Sequence, residues 1–186
     1  MSDPEDFLEA QQQQLNRSLF STEYMEVLIL AATLLATVVI SALTLRQTTH
    51  HFEIERTSAF VERLDSSDMV QLRENVDRWL AAGETPAELY ARSVSEDAQA
   101  QNNAVDTIVQ LRTLCNFFDE FGAAIRIASI DENYASELLG SVCIHYAQAL
   151  EPFIIESRSQ HQRPNLFDDV FYLKDRMKKL DSRKNR

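Results

Sequence analysis

Residues 27–45 read VLILAATLLATVVISALTL, nineteen positions without a charge in a chain that is 25% charged overall. At about 1.5 Å per residue the run is roughly 28 Å long as a helix, close to the hydrocarbon thickness of a bilayer. The pattern predicts one transmembrane helix. A cleaved secretory leader needs a basic start and a shorter apolar core. Here 26 residues precede the run and hold six acids against Arg17 alone, which predicts an uncleaved, single-pass span. Thr33, Thr37, Ser41 and Thr44, at spacings of four, four and three, share one face of it. Such hydroxyls either bond their own backbone or let a second helix approach closely and share hydrogen bonds. The expectation is a helix–helix interface at Thr33, Thr37, Ser41 and Thr44.

The helical pattern continues on both sides. SDPEDF offers Ser2 or Asp3 as a cap with Pro4 at the first helical position, and predicts a short helix in an acidic tail. Ser21 reads as the cap of the membrane helix, with Phe20 packing on Met25. After Arg46 nothing breaks the pattern until Ser66, so the helix extends as a stalk to about Leu64, with Phe52, Phe60 and Leu64 on its apolar side. A second helix starts at Ser66 or Ser67, shows Met69, Leu72, Val76, Trp79 and Leu80 at helical spacing, and ends at Gly83. Thr85 and Pro86 restart a short helix to about Arg92. The densest apolar helix follows, with Val105, Ile108, Val109, Leu111, Leu114, Cys115, Phe117, Phe118, Phe121 and Ile125 covering more than one face. Asp131 caps a long helix with Leu138, Leu139, Val142, Ile144, Tyr146, Leu150, Phe153 and Ile154 on its buried surfaces. Pro152 bends it, and Pro164 with Asn165 begins the last helix.

Three glycines and four prolines in 186 residues leave little turn punctuation for a sheet, so the fold class is all-α. The organisation predicted is an acidic tail (1–21), a transmembrane helix (22–45), a helical stalk (46–65), a helical bundle (66–173) and a basic tail (174–186). The bundle is large enough for one core and too small for two. Cys115 and Cys143 stand in apolar helical patterns without metal-ligand spacing, and read as buried, reduced thiols.

Charge refines the picture. The net charge is −11, yet all four lysines lie in KDRMKKLDSRKNR at residues 174–186. An acidic body argues against nucleic acid as a partner. The tail cations Lys174, Arg176, Lys178, Lys179, Arg183, Lys184 and Arg186 complement the end of a helix, or meet anionic lipid or an acidic partner. Arg46, Arg56 and Arg63 after the span outnumber Arg17 before it, which predicts an outside N-terminus and a cytoplasmic bundle.

Candidate chemistry is sparse. His50, His51, Glu53 and Glu55 form two pairs on different helix faces, short of the three or four converging ligands of a metal site, and read as a juxtamembrane polar collar. Asn116, Asp119, Glu120 and Arg126, with Glu151, Glu156 and Arg158, read as ion pairs that order a helical core. No phosphate-cradling loop, nucleophile elbow or zinc-hydrolase motif is present. No catalytic, cofactor-binding or metal-binding residue is assigned.

One resemblance adds to this. NFFDEF at 116–121, IDE at 130–132, LLGS at 138–141 and EPFIIESR at 151–158, preceded by ERTSAFVERL at 55–64, resemble a bacterial domain-of-unknown-function family carried behind one N-terminal membrane helix. The resemblance covers most of residues 53–177. It implies an all-helical cytoplasmic domain anchored to the bacterial inner membrane, and supplies no active site. The expected function is a membrane-anchored interaction module, acting as a homo-oligomer or as an accessory subunit of a membrane complex. A signalling or defence effector whose bundle senses a ligand is the alternative.

Overall fold

No glycine or proline interrupts residues 5–64, and this stretch forms one helix, α1 (Pro4–Leu64). The computed structural model describes the backbone of residues 4–184, and the side chains of residues 11, 12, 14 and 24–183. Ser21 does not open a helix, because the backbone is already helical from Pro4 and nothing near residue 21 breaks the hydrogen-bond ladder. The cap read at Ser2 or Asp3 lies outside the described residues. By its internal contacts the chain divides into two units, Met1–Thr49 and His50–Arg186.

Six further helices follow: α2 (Ser67–Ala82), α3 (Pro86–Arg92), α4 (Ala98–Arg126), α5 (Glu132–Ala149), α6 (Glu151–His161) and α7 (Asp168–Lys184). Among the described residues the fold is all-α. Local chemistry sets most boundaries. Ser66 caps α2 through the Met69 N–H, and Gly83 ends it at φ 70°, a left-handed conformation open to glycine without strain. Thr85 and Glu88 close a capping box on α3, with Pro86 in its first turn. The Asp131 carboxylate accepts the Asn133 and Tyr134 N–H groups at the start of α5. The bend falls where Pro152 requires it, as a 50° turn between α5 and α6.

One further boundary departs from the local signals. The last helix starts at Asp168, not at Pro164, because residues 164–167 form turns and Phe167 takes φ 60°. Its cap is borrowed: the Asp119 carboxylate of α4 accepts the Asp169 N–H at 2.9 Å and also bonds the Val170 N–H. Gly122, one turn further along α4, makes room for this crossing. A Cβ there would overlap the Asp169 carbonyl oxygen and stand 2.8 Å from its carbon.

α7 packs on α4 and α5 and closes the core, while α2 and α3 cover α4, and α6 joins α3 to α5. Phe117, Phe118 and Phe121 of α4, Phe153 of α6, and Leu173 and Met177 of α7 are fully buried. Each such side chain contributes about 1.5–3 kcal/mol over exposure to water. Val105, Val109 and Leu138 are exposed, since α4 and α5 each keep one solvent face. The segment of α1 from His50 packs through Thr57, Phe60 and Leu64. Phe52, read as part of that apolar side, is exposed.

Asp119 has a pH consequence. Burial pushes its carboxyl above the ordinary range, and the nearby Asp169 charge adds to this, while the Asp169 N–H bond opposes it. Folding therefore favours its protonated form. The associated stability is full below the unfolded-state value, about 3.9, and is lost as pH rises through the raised folded-state value. Asp119→Asn keeps an oxygen for the Asp169 N–H. Urea titrations across this window are expected to show wild type losing stability relative to the variant as pH rises; parallel profiles would contradict that assignment.

Candidate functional site

Every described side chain from Tyr24 to His51 is exposed, including Leu28, Ile29, Leu34, Leu35, Val39 and Ile40. Monomers in water rarely display a contiguous apolar surface of this kind. The Tyr24–Leu64 part of α1 contains the one single helix, among the described residues, that is long and apolar enough to cross a membrane.

The hydroxyl stripe is occupied by its own backbone. Thr33 donates to the Ile29 carbonyl at 2.7 Å, Thr37 to Thr33 at 2.8 Å and Thr44 to Ile40 at 2.9 Å. Thr48 and Thr49 repeat the pattern towards Thr44 and Leu45. Ser41 lies exposed on the same face. With their donors internally satisfied, Thr33, Thr37 and Thr44 present methyl groups and oxygen lone pairs, which leaves close helix packing open.

Past the span, α1 meets the bundle through a small polar cluster. His50 Nδ1 lies 3.8 Å from both Glu53 and Asp131. The buried Thr57 hydroxyl donates to the Glu53 carbonyl at 2.7 Å and accepts the Asp131 N–H at 3.2 Å. Asp131 therefore caps α5 and ties the α4–α5 turn to α1 at once. Sequence spacing pairs His50 with Glu53; its meeting with Asp131 bridges 81 positions and has no local signal. His51 and Glu55 are both exposed. No group of three or more metal-donor side chains converges among the described residues.

The charged residues of the central helices pair chiefly with other elements. Arg63 meets Glu120 at 2.6 Å, Arg126 meets Asp169 at 2.7 Å, and Arg158 meets Asp168 at 2.5 Å while donating to the Leu166 carbonyl. Glu156 accepts from Gln160 within α6, and Asn116 is exposed. These contacts fix helix ends against one another.

The basic stretch divides. Lys174 Nζ reaches Glu151 at 2.8 Å and lies over the Phe171 ring, and Arg176 forks onto Glu132 with its Nε at 2.6 Å. Lys178, Lys179 and Arg183 are exposed. The Lys184 side chain and Arg186 lie outside the described residues.

Cys115 and Cys143 are free and buried. Burial pushes both thiols up, Cys143 to about 12, so both stay protonated and unreactive at neutral pH. Tyr146 is also pushed up to about 12, by burial and by its 3.0 Å hydrogen bond to Asp77. Beside α5 a hollow of about 300 Å³ gathers Ser136, Gly140, Ser141, Ile144, His145, Gln148 and Asp181 of α7. A shallower groove between α2 and α4 is lined by Asn75, Arg78, Trp79 and Asp106.

These features define an all-α bundle that follows a helix with a candidate membrane span. Residues 31–177 match the model of a domain of unknown function (DUF4760), and the chain belongs to that family. No curated protein and no solved structure matches it.

Proposed function

We propose that the protein is a single-pass membrane protein of the bacterial inner membrane whose cytoplasmic bundle binds other proteins. It acts as a homo-oligomer or as an accessory subunit of a larger membrane complex, without catalysis of its own. The observation that carries this reading is the exposed apolar surface of residues 24–45. Lipid takes most of that surface. The face of Thr33, Thr37, Ser41 and Thr44, with its threonine hydroxyls turned onto backbone carbonyls, suits a closely packed second helix. The arginine excess after the span supports a cytoplasmic bundle. Lys178, Lys179 and Arg183 remain available for anionic headgroups or an acidic partner.

Native mass spectrometry of the full-length protein, extracted gently from its own membranes, tests this. A discrete assembly heavier than the monomer is expected, its mass distinguishing copies of this chain from foreign subunits. A bare monomer under extraction that preserves known complexes in the same membranes would contradict the reading.

A further inference from the structure

We propose that the groove between α2 and α4 binds an extended, uncharged segment of a partner polypeptide through its main-chain amide groups. The inference rests on the reading of the bundle as a protein-binding module, and names the site and the chemistry it recognises.

Each wall of the groove is one stripe of one helix. Asn75, Arg78 and Trp79 stand at i, i+3 and i+4 on α2, and Asn103, Asp106, Thr107 and Gln110 at i, i+3, i+4 and i+7 on α4. Together they frame about 440 Å³. Pockets for small molecules are mostly apolar, with a few polar groups placed among apolar ones. Here Trp79 is the one apolar side chain among the lining residues, so hydrogen bonds select the occupant.

A carboxamide carries a donor and an acceptor in one plane, as a peptide group does. Asn75, Asn103 and Gln110 put such groups on both walls. Arg78 donates to the Asn75 side-chain oxygen and fixes that carboxamide, while the Thr107 hydroxyl is turned onto the Asn103 main-chain carbonyl at 2.9 Å. Spacing matches an extended chain. Asn75 to Trp79 is about 6 Å of helical rise, close to the roughly 6.6–6.8 Å between same-side positions of a strand. Asn103 to Gln110 is about 10.5 Å, the reach of about three extended residues, and a single sugar ring spans only part of that wall.

Trp79 supplies the apolar contact. It is half-buried, its Nε1 donates to Glu84 at 3.0 Å, and Arg92 holds Glu84 at 2.7 Å. The indole is therefore fixed before a ligand arrives, and with its one donor occupied it offers ring surface to an aliphatic side chain. Arg78 on one wall and Asp106 on the other cancel in charge, which favours a neutral segment and binding that persists at high salt.

The test selects binders from a displayed library of neutral, tryptophan-free nonapeptides on the detergent-solubilised full-length protein. Their binding is then read from the emission of Trp79, the only tryptophan in the chain. Asn103→Ala combined with Gln110→Ala is compared with Asn116→Ala, an exposed position of the same helix outside the groove, circular dichroism verifying that each variant is folded. The expected result is a shift in Trp79 emission, about tenfold weaker binding by the double variant and unchanged binding by Asn116→Ala. No selected peptide, or peptides that bind the double variant as well as wild type, overturns the proposal. A Trp79 response to free glucose or N-acetylglucosamine in place of peptides assigns the groove to saccharides and also overturns it. Any of these failures alongside a discrete assembly in native mass spectrometry removes the groove and keeps the protein-binding reading; failure alongside a bare monomer removes both.

Discussion

Gly122→Ala is expected to lower the urea midpoint of the detergent-solubilised protein by an amount equivalent to about 3 kcal/mol or more, at the upper end of overpacking penalties. The added methyl overlaps the carbonyl oxygen of Asp169, and the obstacle is backbone on both sides. No rotamer change relieves it. α7 has to lift from α4, which strains the Asp119 bond to the Asp169 N–H and the 2.7 Å pair between Arg126 and Asp169. Gly140→Ala is the control. There a Cβ meets nothing nearer than the Ser136 hydroxyl at 3.4 Å, with Met177 Sδ and Ser136 Cβ at 4.0 Å, ordinary contacts, and the better helix former adds up to about 1 kcal/mol. If the two alanine variants unfold at the same urea concentration, the close crossing of α4 and α7 is wrong.

Phe117→Ala is expected to cost about 3–5 kcal/mol, the usual range for a buried phenylalanine, and to do so with a regional signature. Phe117 is fully buried and stands edge-on to Phe118 at 5.2 Å and to Phe60 at 6.0 Å, with the Arg63 guanidinium 5.4 Å from its ring centre. It couples the His50–Leu64 part of α1 to the rest of the bundle. Hydrogen exchange should therefore accelerate in residues 50–64 well before global unfolding, whereas a loss confined to global stability would mean that another contact holds α1.

How far the chain could be read in advance follows the range of the interactions involved. Ser66, Gly83, the Thr85–Glu88 box, Asp131 and Pro152 act within a few residues, and each sets its boundary as their chemistry requires. The apolar run of residues 27–45 is legible because composition alone carries it. Ser21 misleads because a capping residue stops nothing when helix-compatible residues stand on both sides. Pro164 misleads for a different reason. The start of α7 is chosen by Asp119, some 50 positions earlier, and no neighbouring residue announces it. The same holds for the site. Lys174 and Arg176 look like free tail cations until Glu151 and Glu132 reach them from across the bundle. Leu138 and Val109 look like core until packing on one side decides which face of each helix is solvent. The stripe of Thr33, Thr37, Ser41 and Thr44 follows from spacing, whereas the turn of its threonine hydroxyls onto the Ile29, Thr33 and Ile40 carbonyls depends on side-chain rotamers that spacing does not set.

The borrowed cap of α7 has a consequence for biosynthesis. A ribosome delivers α4 and α5 before α7, yet α7 is the element that packs most extensively on both. Neither the lid nor its anchoring carboxylate can act alone, for Asp119 waits on α4 and the Asp169 N–H waits to be made. The nascent bundle therefore emerges open and closes late, and that interval is when it is most exposed to aggregation and most in need of a chaperone.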